Sequence, residues 1–168
     1  HAATVGSVNH GLGGLGREAY APFFCPAGTY DAIGVLSTVA AVSTWRLGID
    51  DNTAGWPGAV LLDAGTVDMN ATPGSLLASS AFTVPTTGLY WVAVLVDAHT
   101  ATPTVWSYRG VVGDIPALPY LGARLGAATA TRSYFARVAS GVTTGSMPGT
   151  APTQTITDQS PLIRAHAA

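Results

Sequence analysis

Trp45, Leu47 and Ile49 alternate with Arg46, Gly48 and Asp50. This period of two places large apolar side chains on one face of a strand and polar or small groups on the other, the pattern of a half-buried strand. Asp50 to Gly55 then supplies short polar side chains and glycine suited to a tight turn, and the strand-like stretch Val60 to Met69 completes a hairpin. Tyr90 to Val96 differs because both faces are apolar: Tyr90, Val92, Val94 and Val96 lie opposite Trp91, Ala93 and Leu95. That pattern predicts a central strand covered on both sides. Further strands are expected at Tyr30 to Leu36, Leu76 to Val84, Thr104 to Val111 and Tyr134 to Ala139, separated by Pro- or Gly-bearing connections. A set of about eight strands predicts an all-β chain folded as an antiparallel β-sandwich of jelly-roll type. Two stretches compete with this reading. Val35 to Leu47 lacks Gly and Pro, and Ala127 to Ala139 is rich enough in Ala to start a helix. The β-branched residues in both favour strands.

Three segments follow from the local composition. Residues 1–20 read as a Gly-rich arm or linker, because scattered apolar positions among glycines build no core of their own. Residues 21–140 form the sandwich. Residues 141–168 read as a tail rich in Pro and Thr, docked on the sandwich or on a neighbouring subunit through its closing apolar pair, Leu162 and Ile163. With His1 at its start, the chain is expected to continue a longer protein on the N-terminal side.

Composition narrows the partners. The chain has 168 residues, of which 10% are charged and 48% hydrophobic, with 20 Gly and 11 Pro, a balance that suits many turns between strands better than a helical bundle. So few charges give little mutual repulsion, so permanent assembly with other chains, an oligomer, is expected. The net charge is −2, and every cationic residue is an arginine, scattered along the chain rather than massed into a strip that would neutralise phosphates. Nucleic acid is not an expected partner. The longest continuous apolar run, Leu89 to Val96, is too short to cross a bilayer, so membrane insertion is not expected either. The absence of lysine codons, which are A-rich, fits a GC-rich coding sequence.

Candidate chemistry is sparse. Gly11-Leu12-Gly13-Gly14-Leu15-Gly16 fits the G-x-G-x-x-G pattern for dinucleotides, but no strong strand precedes it and Pro22 and Pro26 interrupt the helix that should follow. Asp50, Asp51 and Asn52 offer hard oxygen ligands, to which Asp63 and Asp68 could add after folding, yet their spacing is not that of a calcium loop. A solvated turn bonded by its own Asx side chains is the simpler reading. His1, His10, His99 and His166 are too dispersed for a local metal motif. Cys25, the only cysteine, sits in apolar surroundings and reads as a buried, inert thiol. There is no G-x-S-x-G elbow, the sole glutamate is Glu18, and nothing marks a catalytic carboxylate pair. Asn70-Ala71-Thr72 matches a glycosylation sequon in what reads as a polar turn. The expectation is a protein that is not an enzyme and has no cofactor and no metal.

Aromatic side chains carry more of the functional signal, because ring faces stack on sugars and act as rigid anchors at interfaces. Trp56 lies in the turn-like Gly55-Trp56-Pro57-Gly58, and Trp106, Tyr108 and Arg109 fall in one short run. These four are the candidate contacts for a surface ligand, with core packing or subunit contact as the competing role for the Trp106 group.

Four phrases follow one another along the chain: Thr29-Tyr30-Asp31-Ala32-Ile33-Gly34-Val35, Thr44 to Asn52 around Arg46-Leu47-Gly48-Ile49, Trp56 to Val67 around Leu61-Leu62-Asp63-Ala64-Gly65, and Thr87-Gly88-Leu89-Tyr90-Trp91-Val92-Ala93. Together they resemble a β-sandwich module of bacteriophage tail-fibre and minor tail proteins. The resemblance spans about Ala21 to Val96 and departs at Asp50, where an aromatic is common. It implies a non-enzymatic module of a virion appendage, extracellular and on the particle, that attaches to the host cell surface. Its implied partners are its own copies, other virion proteins and a host cell-surface glycan. One alternative is a structural virion protein, such as a capsid decoration or head-fibre module. A second is a secreted carbohydrate-binding domain, which would be a monomer with affinity for sugar.

Overall fold

Alternating apolar positions bury one face of each strand only if a second apolar surface faces them, and two sheets of this chain meet that requirement. The computed structural model describes residues 5–9, 12, 14–71, 74–78, 81–109, 136–157, 159–161 and 163–167. Among these, thirteen strands form: β1 (Val5–Asn9), β2 (Glu18–Cys25), β3 (Gly28–Val39), β4 (Ser43–Thr53), β5 (Trp56–Asp68), β6 (Gly74–Ala78), β7 (Phe82–Val84), β8 (Gly88–His99), β9 (Thr104–Arg109), β10 (Ala136–Ala139), β11 (Thr155–Thr157), β12 (Gln159–Pro161) and β13 (Ile163–Ala167). The first sheet runs β1-β9-β3-β13, with β12 on β9 and both β6 and β7 on β3. The second runs β11-β10-β2-β8-β4-β5. Every pairing is antiparallel, and the two sheets make a β-sandwich.

The chain changes sheet at β1→β2, β2→β3, β3→β4, β5→β6, β7→β8, β8→β9, β9→β10 and β11→β12. Most pairing is therefore between strands distant in sequence. Consecutive strands pair at β10–β11 and in the β4–β5 hairpin, which is closed by Ala54 and Gly55 with φ of 53° and 86°. Two positive φ values are what the right-handed twist of a two-residue hairpin demands.

The inter-sheet core takes Ile33, Val35 and Val105 from the first sheet and Trp45, Leu47, Ile49, Val92 and Val94 from the second. Cys25 is a buried free thiol within it. Tyr30 and Phe82, register partners on β3 and β7, stack with ring centroids 5.1 Å apart.

Several expectations change in detail. The strand expected over Leu76 to Val84 is two strands, β6 and β7, both on β3. The competing helix at Val35 to Leu47 is instead the end of β3, a short connection and the start of β4. Of Thr104 to Val111 the described part is β9, and of Tyr134 to Ala139 it is β10; residues 110–111 and 134–135 lie outside the described residues, as does most of the Ala-rich stretch 127–139. Within the stretch read as an arm, Val5–Asn9 form β1 and Leu12 is fully buried.

The turn offers a direct check. An L-residue in the left-handed region costs about 1–2 kcal/mol, whereas Asn tolerates it and Asn-Gly is a favoured pair for this turn. Ala54→Asn should therefore stabilise the protein by about 0.5–1 kcal/mol. Urea unfolding should show a higher midpoint at an unchanged slope, and an unmoved midpoint would refute strain at Ala54.

Candidate functional site

The second sheet is covered on both faces. On β8, Tyr90, Val92, Val94 and Val96 enter the inter-sheet core, while Trp91, Ala93 and Leu95 join Tyr20 and Met147 in a second cluster on the outer face. Residues 141–151 supply the cover, with Val142, Met147 and Ala151 packed against that cluster. This strap begins beside β2 and ends on β5. The Val142 amide donates to the Gly16 carbonyl (2.9 Å), and Gly16 in turn donates to the carbonyl of Val96 (3.0 Å). At the far end the Val60 amide donates to the Gly149 carbonyl (3.2 Å) and the Ala151 amide to that of Gly58 (2.9 Å). Of the apparent dinucleotide motif, Gly16 thus belongs to a structural brace, while the Gly14 carbonyl accepts from the Arg17 amide in a local turn.

A polar clamp holds the middle of the strap. Arg46 on β4 lies between Asp63 on β5 and Asp97 on β8, at 3.0 Å and 3.2 Å. The two carboxylates also accept backbone amides from the strap: Gly145 donates to Asp97 (2.6 Å) and Met147 to Asp63 (3.0 Å). Burial opposes the charge of Arg46, but Asp63 and Asp97 outweigh it and hold the guanidinium above its ordinary value. Burial likewise pushes Asp63 up, and the amides of Met147 and Gly65 together with Arg46 carry it below the usual carboxylate range. Gly48 makes room for the strap: a Cβ there would lie 2.7 Å from the Leu62 carbonyl oxygen and 2.8 Å from Met147 Cε.

The outer face also buries ionisable groups. Glu18 and Tyr20 on β2 are fully buried and Asp50 on β4 is 2% exposed. Neither Glu18 oxygen, nor the Tyr20 hydroxyl, nor Asp50 Oδ1 has a hydrogen-bond partner. Desolvation pushes Glu18 up to about 7, although the nearby Tyr20 hydroxyl, short of hydrogen-bond geometry, favours the ionised form. Desolvation, then the neighbouring charges of Glu18 and Asp51, pushes Asp50 up to about 8. Tyr20 is pushed up by burial and by the two carboxylates. The half-buried strand expected at β4 is thus corrected, because the strap covers the face that carries Gly48 and Asp50.

The remaining candidates separate. Asp51 belongs to the hairpin, where it accepts from the Ala59 amide and the Thr53 hydroxyl, while Asn52 accepts from Trp91 Nε1 at 3.1 Å. Asp68 caps its own turn at the Asn70 amide. Among the described residues no group of three or more His, Cys, Asp or Glu is placed to hold a metal ion. His99 meets the Thr102 hydroxyl, while His1 and His10 lie outside the described residues. Trp56 follows the hairpin turn on edge strand β5 and is 49% exposed, with Leu61 of the same strand 53% exposed. Trp106, Tyr108 and Arg109 lie on β9 in the first sheet, and their side chains fall outside the described residues. The sequence-predicted aromatics therefore do not share a sheet. A shallow cleft of about 220 Å³ opens between the sheets, lined by Ile49, Leu61, Leu62, Phe82, Val84 and Tyr90 among others.

Sequence reasoning missed Arg46, Asp97, Tyr20 and Met147, and assigned Asp63 only to a possible metal site. The one visible signal of this face is Glu18, the sole glutamate in the chain, placed in the apolar strand β2. No family model matches the chain, and no curated protein or solved structure matches it.

Arg46→Ala leaves two carboxylates facing each other without the cation between them. The variant should lose about 2 kcal/mol of stability in chemical denaturation, within the range for removing one partner from a partly buried charged network. A loss within experimental error would show that the clamp contributes nothing.

Proposed function

We propose that this chain is a non-enzymatic module of a virion appendage, a tail fibre or minor tail protein, that attaches the particle to a host cell surface. The observation that carries the reading is Trp56, a half-exposed indole beside the turn of a long hairpin that is braced on a rigid sandwich. A ring held by paired strands loses little entropy when it stacks on a sugar or an apolar surface. The order of strand phrases from Ala21 to Val96 and its likeness to phage appendage modules supply the biological setting. A jelly-roll-like path and a homotrimer belong to the same proposal: one rigid head presenting several copies of a weak site engages a repetitive surface, and tethering raises the effective concentration for each later contact.

A particular feature favours the structural alternative. Leu15, Phe24, Val39, Val42 and Leu61 are all more than half exposed in the single chain, which suits packing against other virion subunits.

Light scattering on the purified chain should give about three times the 17.0 kDa of one copy. The labelled protein should then bind intact cells of a susceptible host, and Trp56→Ala should reduce binding at least about tenfold with the trimer intact. A trimer that labels no cells would favour the structural virion role, and a monomer would refute the multivalent head.

A further inference from the structure

The outer face of the second sheet combines two features that physical chemistry does not easily reconcile. Its cover is a short strap, residues 141–151, with few anchoring bonds. The same face carries carboxyls with buried, unpartnered oxygens: Glu18 is the register partner of Leu95 and Asp50 that of Trp91, and both partners belong to the cluster on which the strap packs. Tyr20, Ala93 and Gly48 form the register row between them, and Met147 of the strap packs on that row. The opposite side of the sheet is the apolar inter-sheet core, which offers no polar environment for a charge.

We propose that residues 141–151 are a proton-dependent latch, held on the outer face while Glu18 and Asp50 are neutral and lifted from it when they ionise. The inference does not depend on the attachment role. An unpaired buried carboxylate costs several kcal/mol, and local opening that admits water relieves that cost without unfolding the sandwich.

The surrounding charges favour the neutral forms. The charges of Glu18 and of Asp51, the next residue in the chain, both oppose the ionisation of Asp50. Arg46, the cation on the same face of β4, is committed to Asp63 of β5 and Asp97 of β8. Arg17 precedes Glu18 in the chain, and Arg137 of β10 occupies the register position opposite Tyr20. The strap itself contains no titratable side chain.

The sign follows from linkage. Both carboxyls are raised in the closed state, to about 7 for Glu18 and about 8 for Asp50. Their contribution to closure is complete below the ordinary carboxyl range and is lost as pH rises through those values. Asp63, held below the usual carboxylate range, keeps its charge throughout this window and cannot mimic the effect.

Amide hydrogen exchange of the full chain, expressed as protection factors, tests the latch. Between about pH 6 and about pH 9, protection at Gly145, Met147 and Ala151 should fall more than about tenfold, while β3 amides change less than about twofold. The double variant Glu18→Gln with Asp50→Asn cannot ionise and should keep the strap protected at both pH values. Asp50→Asn alone removes one of the two ionisations and should shrink the fall at least about threefold, which keeps the test decisive if the double variant does not fold. Equal protection at both pH values, a wild-type fall in Asp50→Asn, or a loss shared equally by β3 would each overturn the proposal.

Discussion

Removing water from both faces of β8 is the constraint on which the remaining structure depends. A two-layer sandwich covers only the inner face of each sheet, so Trp91, Ala93 and Leu95 would face solvent without a third layer. The strap is that layer. It is too rich in Gly and Pro to make an element of its own, and a buried irregular segment must find partners for its amides elsewhere. Asp63 and Asp97 provide two of them, and Arg46 holds both carboxylates in place. Ion pairs near a surface contribute little by themselves. Here the pairs also aim acceptors at a backbone that would otherwise be unsatisfied.

The same cover creates a local conflict. Glu18, Tyr20 and Asp50 are buried on the outer face, and both Glu18 oxygens, the Tyr20 hydroxyl and Asp50 Oδ1 find no hydrogen-bond partner in the fold. An apolar residue of similar size would pack there without that cost, since neutral replacement of buried ionisable groups is often stabilising. Inconsistencies of this kind are expected where a fold serves something besides its own stability. The strap also blunts a sheet edge, because Thr150 bridges Ala59 on β5, leaving less open strand for unplanned pairing. The exposed Trp56 lies just outside that covered stretch.

Much of the sandwich is legible in local pattern. The alternation at Trp45, Leu47 and Ile49 gave the strand and its inner face, and the doubly apolar run at Tyr90 to Val96 gave a strand covered on both sides, because a period of two survives whatever the partner is. The hairpin was readable from Asp50 to Gly55, although the turn itself falls on Ala54 and Gly55 and Asp50 belongs to the buried strand. The break between β6 and β7 was not readable, since both pair with β3 through contacts that local propensity does not encode. The aromatics chosen for binding were picked by residue type alone, and their division between sheets depends on strand order.

The sequence by itself determined the all-β class, the inner face of β4, the apolar character of both faces of β8 and the place of the hairpin, all consequences of side-chain alternation within a few residues. Tertiary structure alone decided that Arg46, Asp63 and Asp97 form one clamp, that Met147 seats over Gly48, and that Glu18 and Asp50 lose their water. The physical reason is separation along the chain. Asp63 and Met147 stand 84 residues apart, and the burial of a carboxyl depends on what covers it from another segment rather than on its neighbours in sequence.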